Sequence, residues 1–132
     1  MIGPGFRFQA PAGWRVVQSG QRVSAGSGSS LVQVARFRLL RPYSAALFGR
    51  VEKELTVRMA AVAAQTSGKL AGSRVVKAGG VRSHSYDVAA GDRIDQYTFV
   101  LRGMREYQLL CRRAASDDDA NCRLLISSFK ID

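Results

Sequence analysis

The sequence predicts an α+β fold: a central antiparallel sheet of short strands, interrupted by one long helix and closed by a second at the C-terminal end. Three observations carry that reading. Segments with alternating apolar residues are separated by glycine-bearing turns such as Ser19-Gly20, Gly79-Gly80, Gly91-Asp92 and Arg102-Gly103. Between Ser44 and Ser67 the apolar residues recur instead at helical spacing. The same spacing returns after Ser116 and runs to Phe129. A chain of 132 residues is read as one domain, 1–132, long enough to fold on its own core.

Each element follows from local chemistry. Phe6 and Phe8 share one side of a first strand, and Ala12-Gly13 turns into a second that starts at Trp14-Arg-Val-Val17. A third begins at Arg22. Ala25 to Ser30 reads as a flexible loop, and Leu31 to Leu40 as a long strand that Pro42 closes. Ser44 is placed to cap a helix whose stripe is Leu47, Val51, Leu55, Met59 and Val62, with Glu54 and Arg58 paired on the far side. Ser67-Gly68 ends it.

Four strands follow as a meander: Ser73 to Ala78, Val81 to Ala89, Ile94 to Leu101 and Met104 to Arg112. Tyr97, Phe99 and Leu101 share a face of one strand; Tyr107, Leu109 and Cys111 share a face of the next. Parity sets Cys111 among the inward aromatics. The last helix takes Ser116 as N-cap and Asp119 at the third position, with Asp117, Asp118 and Asp119 at the positive end of its dipole. Cys122, Leu125, Ile126 and Phe129 then form its inward face.

Composition narrows the function. The net charge of +10 attracts anionic partners, yet the basic residues are spread along the chain from Arg7 to Lys130, which favours a solvated surface over a nucleic-acid stripe. No segment has the length and apolarity of a membrane span, and Met1 leads straight into a strand with no signal segment. The protein is thus either cytosolic or separated from its targeting segment.

The candidates for chemistry are few. Cys111 and Cys122 have three readings: a structural disulfide from the last strand to the last helix, two buried thiols, or a redox or metal pair. The first is preferred, because the spacing is not that of a redox or zinc site. His84 sits in Ser83-His-Ser-Tyr-Asp87, but neighbouring strand residues face opposite ways, so a partly exposed strand histidine is preferred to a catalytic base. Gly26 to Ser30 lacks the lysine and following helix of a phosphate loop. The three aspartates lack the alternation of a calcium loop. The aromatics read as sheet core rather than as a base-stacking platform. No catalytic set, cofactor or metal is expected.

The opening Gly5-Phe-Arg-Phe-Gln-Ala-Pro-Ala-Gly-Trp14 and the closing Tyr107-x-Leu-x-Cys111, Cys122 and Ser127-Ser-Phe129 resemble the PsbP-like superfamily, especially its small bacterial lipoprotein and periplasmic members. The resemblance covers nearly the whole chain. It implies an α/β/α sandwich, the long helix and the C-terminal helix packing on the antiparallel sheet, and it implies binding rather than catalysis. No functional residue carries over, because the family shares a scaffold and no active site.

The expected function is therefore a non-enzymatic, extracytoplasmic binding or scaffold domain of a bacterial envelope or secreted protein. Its partner would be a protein or an anionic envelope component, with Arg102 and Arg105 at a hairpin tip as candidate contacts. Membrane attachment would come only from a lipid anchor that this sequence does not contain. The alternatives are an intracellular secretion chaperone that cups a client helix, with free thiols, and a basic nucleic-acid-binding domain.

Overall fold

The computed structural model describes residues 1–132. In chain order its elements are β1 (Ile2–Gly3), β2 (Phe6–Arg7), β3 (Arg15–Ser19), β4 (Arg22–Ser27), β5 (Ser30–Tyr43), a 3-10 turn (Ala45–Leu47), α1 (Phe48–Gln65), β6 (Lys69–Ala78), β7 (Val81–Ala90), β8 (Arg93–Ala114), α2 (Ala120–Ser128) and β9 (Lys130–Ile131). Strands β3 to β8 form a six-stranded antiparallel sheet in the order β3-β4-β5-β8-β7-β6. A second, three-stranded sheet joins β1, β2 and β9.

β8 doubles back on itself. Drawn straight, a strand of 22 residues would span roughly 70 Å. Yet Arg112 Nε donates to Asp95 Oδ1 at 2.9 Å, and the Ala115 amide donates to the Asp92 carbonyl. The reversal falls at Gly103, whose φ of 59° suits a two-residue hairpin loop. The reversal lies one residue later than the expected Arg102-Gly103 turn: Arg102 faces Arg105, and Gly103 and Met104 form the loop. The register of the two limbs sets Leu101 opposite Glu106 and Val100 opposite Tyr107. An odd-numbered residue of one limb therefore lies opposite an even-numbered residue of the other. Tyr97, Phe99 and Leu101 thus face away from Tyr107, Leu109 and Cys111, and Cys111 does not share a face with the first three.

The core is divided accordingly. Phe99 packs with Leu55, Met59 and Ala63 of α1 and with Tyr86 and Val88 of β7. Val100, the next residue, packs with Leu125 of α2 and Phe129 just after it, and with Val32, Val34, Tyr107 and Leu109. Phe6 stands edge-on to Tyr107 at 6.2 Å, and Tyr107 edge-on to Phe129 at 5.5 Å, so the small sheet is tied into this larger cluster. Cys111 and Cys122 form a disulfide across it, with Cα atoms 5.4 Å apart.

Several local expectations are corrected. Ala25 to Ser27 belong to β4, and only Gly28 and Ser29 turn. β5 continues through Pro42, but its ladder with β8 jumps from Arg38 to Tyr43, so Leu39 to Pro42 bulge out. Proline has no amide to give a ladder, and the bulge is where it can sit. Arg58 turns to Glu106 at 3.6 Å instead of pairing with Glu54.

Both helix ends also differ in detail. Ser44 precedes the 3-10 turn without a side-chain cap, and α1 begins at Phe48. At its other end Ser67, not Gly68, takes the left-handed conformation (φ 57°), and the Gly68 amide closes onto Ala63 O at 2.8 Å. Gly68 is needed for proximity: a Cβ there would lie 2.3 Å from Ala89 O. α2 begins at Ala120, later than Ser116 would place it. A turn bonding Asp117 N to Ala114 O, and Arg113 Nη1 donating to Asp117 O at 2.8 Å, occupy the intervening residues. Asp118 Oδ1 accepts from the Ala120 amide at 3.0 Å, so the acidic run does serve the helix start.

Candidate binding surface

The end of the sheet where β8 reverses is built by three segments. Tyr43 of β5 pairs with Gly103 at the reversal. The Leu39–Pro42 bulge projects beside it, and the 3-10 turn leads from there into α1. Between bulge and helix lies a groove of about 510 Å³. Buried Leu55 and Leu101 form its floor, with Leu39, Pro42, Leu47 and Val51 around them. Its charged lining is Arg41, Arg50, Glu54, Arg58 and Glu106. Arg58 is already engaged, with Glu106 and over the Phe99 ring, its guanidinium 5.7 Å from the centroid.

Across the sheet from the groove runs a row of arginines. Arg38 of β5 is the register partner of Arg105, and the folded-back limb sets Arg102 beside Arg105. Like charges directly opposite one another on a sheet repel, by a few tenths of a kcal/mol to about 1 kcal/mol. None of Arg38, Arg41, Arg50, Arg82, Arg102 and Arg105 takes part in an ion pair. Folding therefore gathers at one pole six arginines from four separate segments of the sequence, with Lys77 beside Arg82 on the neighbouring strand. Asp92 and Asp117 to Asp119 lie at the opposite end, where the limbs of β8 finish.

Arg102 and Arg105 do flank the hairpin reversal, Arg102 exposed and Arg105 half-buried. Arg38, Arg41, Arg50 and Arg82 were not legible as partners of theirs. The available signal was Arg38-Leu-Leu-Arg-Pro42, two leucines between arginines running into a proline that no ladder can hold.

His84 is buried, 3% exposed, contrary to the partly exposed position expected for it. Its ring stacks on Phe48 at 3.9 Å, and Nε2 donates to the Phe48 carbonyl at 3.1 Å. Arg82 also lies over the Phe48 ring, 4.1 Å from its centroid. Burial pushes the His84 pKa below its ordinary value; the Phe48 carbonyl and Glu52, whose Oε2 is 4.0 Å from Nδ1, pull it back up, and Arg82 adds to the lowering. The side chain is a neutral pin between β7 and the start of α1. Ser83 donates its hydroxyl to Val81 O on the other face of the strand and does not meet His84. Burial also raises the Tyr43 pKa, against the pull of Arg82.

The remaining candidates resolve simply. Asp119 pairs with Arg123 at 3.2 Å. No group of three His, Cys, Asp or Glu side chains converges, and no helix is long and apolar enough to cross a membrane.

No family model and no curated protein matches the sequence. Among solved structures, a crystal structure of a protein from Bacteroides thetaiotaomicron VPI-5482 superposes with a TM-score of 0.67 at 12% identity. The match covers 100% of this chain and 47% of that one, so the chain spans about half the length of its structural neighbour. Similarity at that identity is similarity of fold.

Proposed function

We propose that this chain is a non-enzymatic, extracytoplasmic binding domain of PsbP-like type, and that its basic pole takes an anionic partner, either an acidic protein segment or an anionic component of the envelope. The family reading is supported by the order of elements: N-terminal strands, one long helix, a meander and a C-terminal helix bound to the last strand. The layering it implies is an α/β/α sandwich. Support comes from Phe99 and Val100, consecutive residues on one limb of β8, which pack with α1 and α2 respectively. Neighbouring strand residues project to opposite faces.

The observation that carries the compartment is the buried Cys111–Cys122 bond. Such bonds persist in oxidising compartments and are reduced in most cytosols. A binding role is supported by the six unpaired arginines beside an open groove, and by the use of His84 as a packed structural group. Alkylation of unfolded, unreduced protein taken from its own cells tests the compartment. We expect no adduct before reduction and two afterwards. Two adducts without reduction would end the extracytoplasmic reading and favour the chaperone alternative.

A further inference from the structure

The basic pole has an apolar tip. Leu40, at the crest of the β5 bulge, is 100% exposed, the most exposed large apolar side chain in the protein. Arg41 is its neighbour in the chain. Arg38, Arg102 and Arg105 lie on one face of the sheet end, and Arg41 and Arg50 line the groove on the other. The cations therefore surround the protruding leucine instead of forming one flat patch. We propose that this end of the sheet docks, end-on, onto the surface of an anionic phospholipid bilayer, with Leu40 entering the headgroup layer and the arginines holding lipid phosphates. This deepens the binding reading above, on which it rests, and names the partner.

The geometry favours a bilayer over an acidic protein segment. A plane of phosphates meets cations on both sides of a ridge at once, while the ridge itself sinks below the plane. A peptide lying along one face would reach only half of them. Apart from Lys77, the ladder partner of Arg82, these cations are arginine, whose planar fork of donors suits phosphate oxygens. Attraction of this kind is worth about fivefold in partitioning per arginine at an anionic surface, and it extends only about a Debye length, ~10 Å at 0.1 M salt. Contact therefore requires the pole itself, and net charge alone is insufficient. Docking of this sort needs no lipid anchor.

Sedimentation with vesicles tests the proposal. We expect the protein to pellet with phosphatidylglycerol–phosphatidylcholine vesicles at low salt, and not with phosphatidylcholine alone or in 0.5 M salt. The pair Arg102→Gln and Arg105→Gln should weaken binding about 25-fold, from two steps of about fivefold. Leu40→Ser should weaken it about tenfold, the order expected for losing one apolar side chain from the headgroup layer. Arg15→Gln with Arg22→Gln, which removes the same charge from the edge hairpin, should change it little. Leu40→Trp should show a blue-shifted emission on vesicle binding. Thermal melts close to wild type will show that these surface variants fold.

The proposal is overturned if no anionic vesicle binds at low salt, if Leu40→Ser binds undiminished, or if the edge-hairpin pair weakens binding as much as the pole pair. It is also overturned if polyglutamate binds as tightly as vesicles and is indifferent to Leu40→Ser, which would assign the pole to an acidic protein. These failures leave the extracytoplasmic reading intact, because only the alkylation result can remove it.

Discussion

Replacing both cysteines, Cys111→Ala with Cys122→Ala, deletes the covalent link between β8 and α2 while leaving small apolar residues in the core. The bond spans a sequence separation of 11, and closing a loop of that size restricts the unfolded chain by about 3 kcal/mol in the loop-entropy treatment. Both cysteines are buried among Val32, Leu125 and Phe129, so loss of the sulfurs leaves a small void that adds about 1 kcal/mol. For 132 residues, an unfolding entropy of ~2.1 cal/mol/K per residue makes each kcal/mol worth about 3.6 °C. The double variant should therefore melt roughly 10–15 °C below wild type. Calorimetry, with urea unfolding followed by circular dichroism, would read both quantities. The urea slope should also rise, because the unlinked unfolded chain exposes more surface. A loss smaller than about 1 kcal/mol, or an unchanged slope with a large loss, would refute the assignment of the stabilisation to the unfolded state.

The end of α1 offers a paired test by thermal melts. Ser67→Gly should stabilise by about 0.5–1 kcal/mol by relieving a non-glycine left-handed residue, net of glycine's added freedom in the unfolded chain; no gain would contradict the φ of 57°. Gly68→Ala should destabilise by more than about 1 kcal/mol, because its Cβ would meet Ala89 O at 2.3 Å. His84 should titrate below 6.5 in an NMR experiment, since burial is the largest influence on it. Its sign follows: the unfolded state binds the proton more readily, so stability is lost as pH falls below about 6.5 towards the folded pKa, and His84→Gln should flatten that part of the profile. An identical profile in the variant would remove His84 as its source.

The elements that were legible in the sequence are those set by local chemistry. Leu55, Met59 and Val62 mark the inner face of α1 because helical spacing alone puts them there. Gly79-Gly80, Gly91 and Gly103 mark reversals because few other residues adopt positive φ. The cysteine pairing followed from strand and helix faces that each cysteine shares with its immediate neighbours. What escaped depends on register. Whether Tyr97 and Tyr107 share a face is decided by one residue of loop length at Gly103, and composition is indifferent to that choice. The same register sets Arg102, Arg105 and Arg38 side by side, so the basic pole is invisible until the strands are aligned. The late start of α2 reflects local competition: Ser116 and Asp119 match a cap, but a turn from Ala114 to Asp117, with Arg113 binding Asp117 O, takes those residues first.

The ladder between β2 and β9 has a mechanical corollary. Phe6 pairs with Ile131 and Arg7 with Lys130, so Gly5 and Asp132 leave the ladder from the same side, and β1 folds Met1 back beside Phe8. Tension between them would part its hydrogen bonds one after another, as a zipper opens, and would meet little resistance there. From the C-terminal side the opening cannot run on into the sheet. Once β9 and the body of α2 have peeled away, the pull arrives at Cys122, which is bonded to the middle of the structure at Cys111. At most the residues after Cys122, about 35 Å of extended chain, can be drawn out before a covalent bond takes the load. The disulfide is thus a stop that limits how far a pull on the C-terminal side can draw out the chain while the sheet and basic pole stay folded.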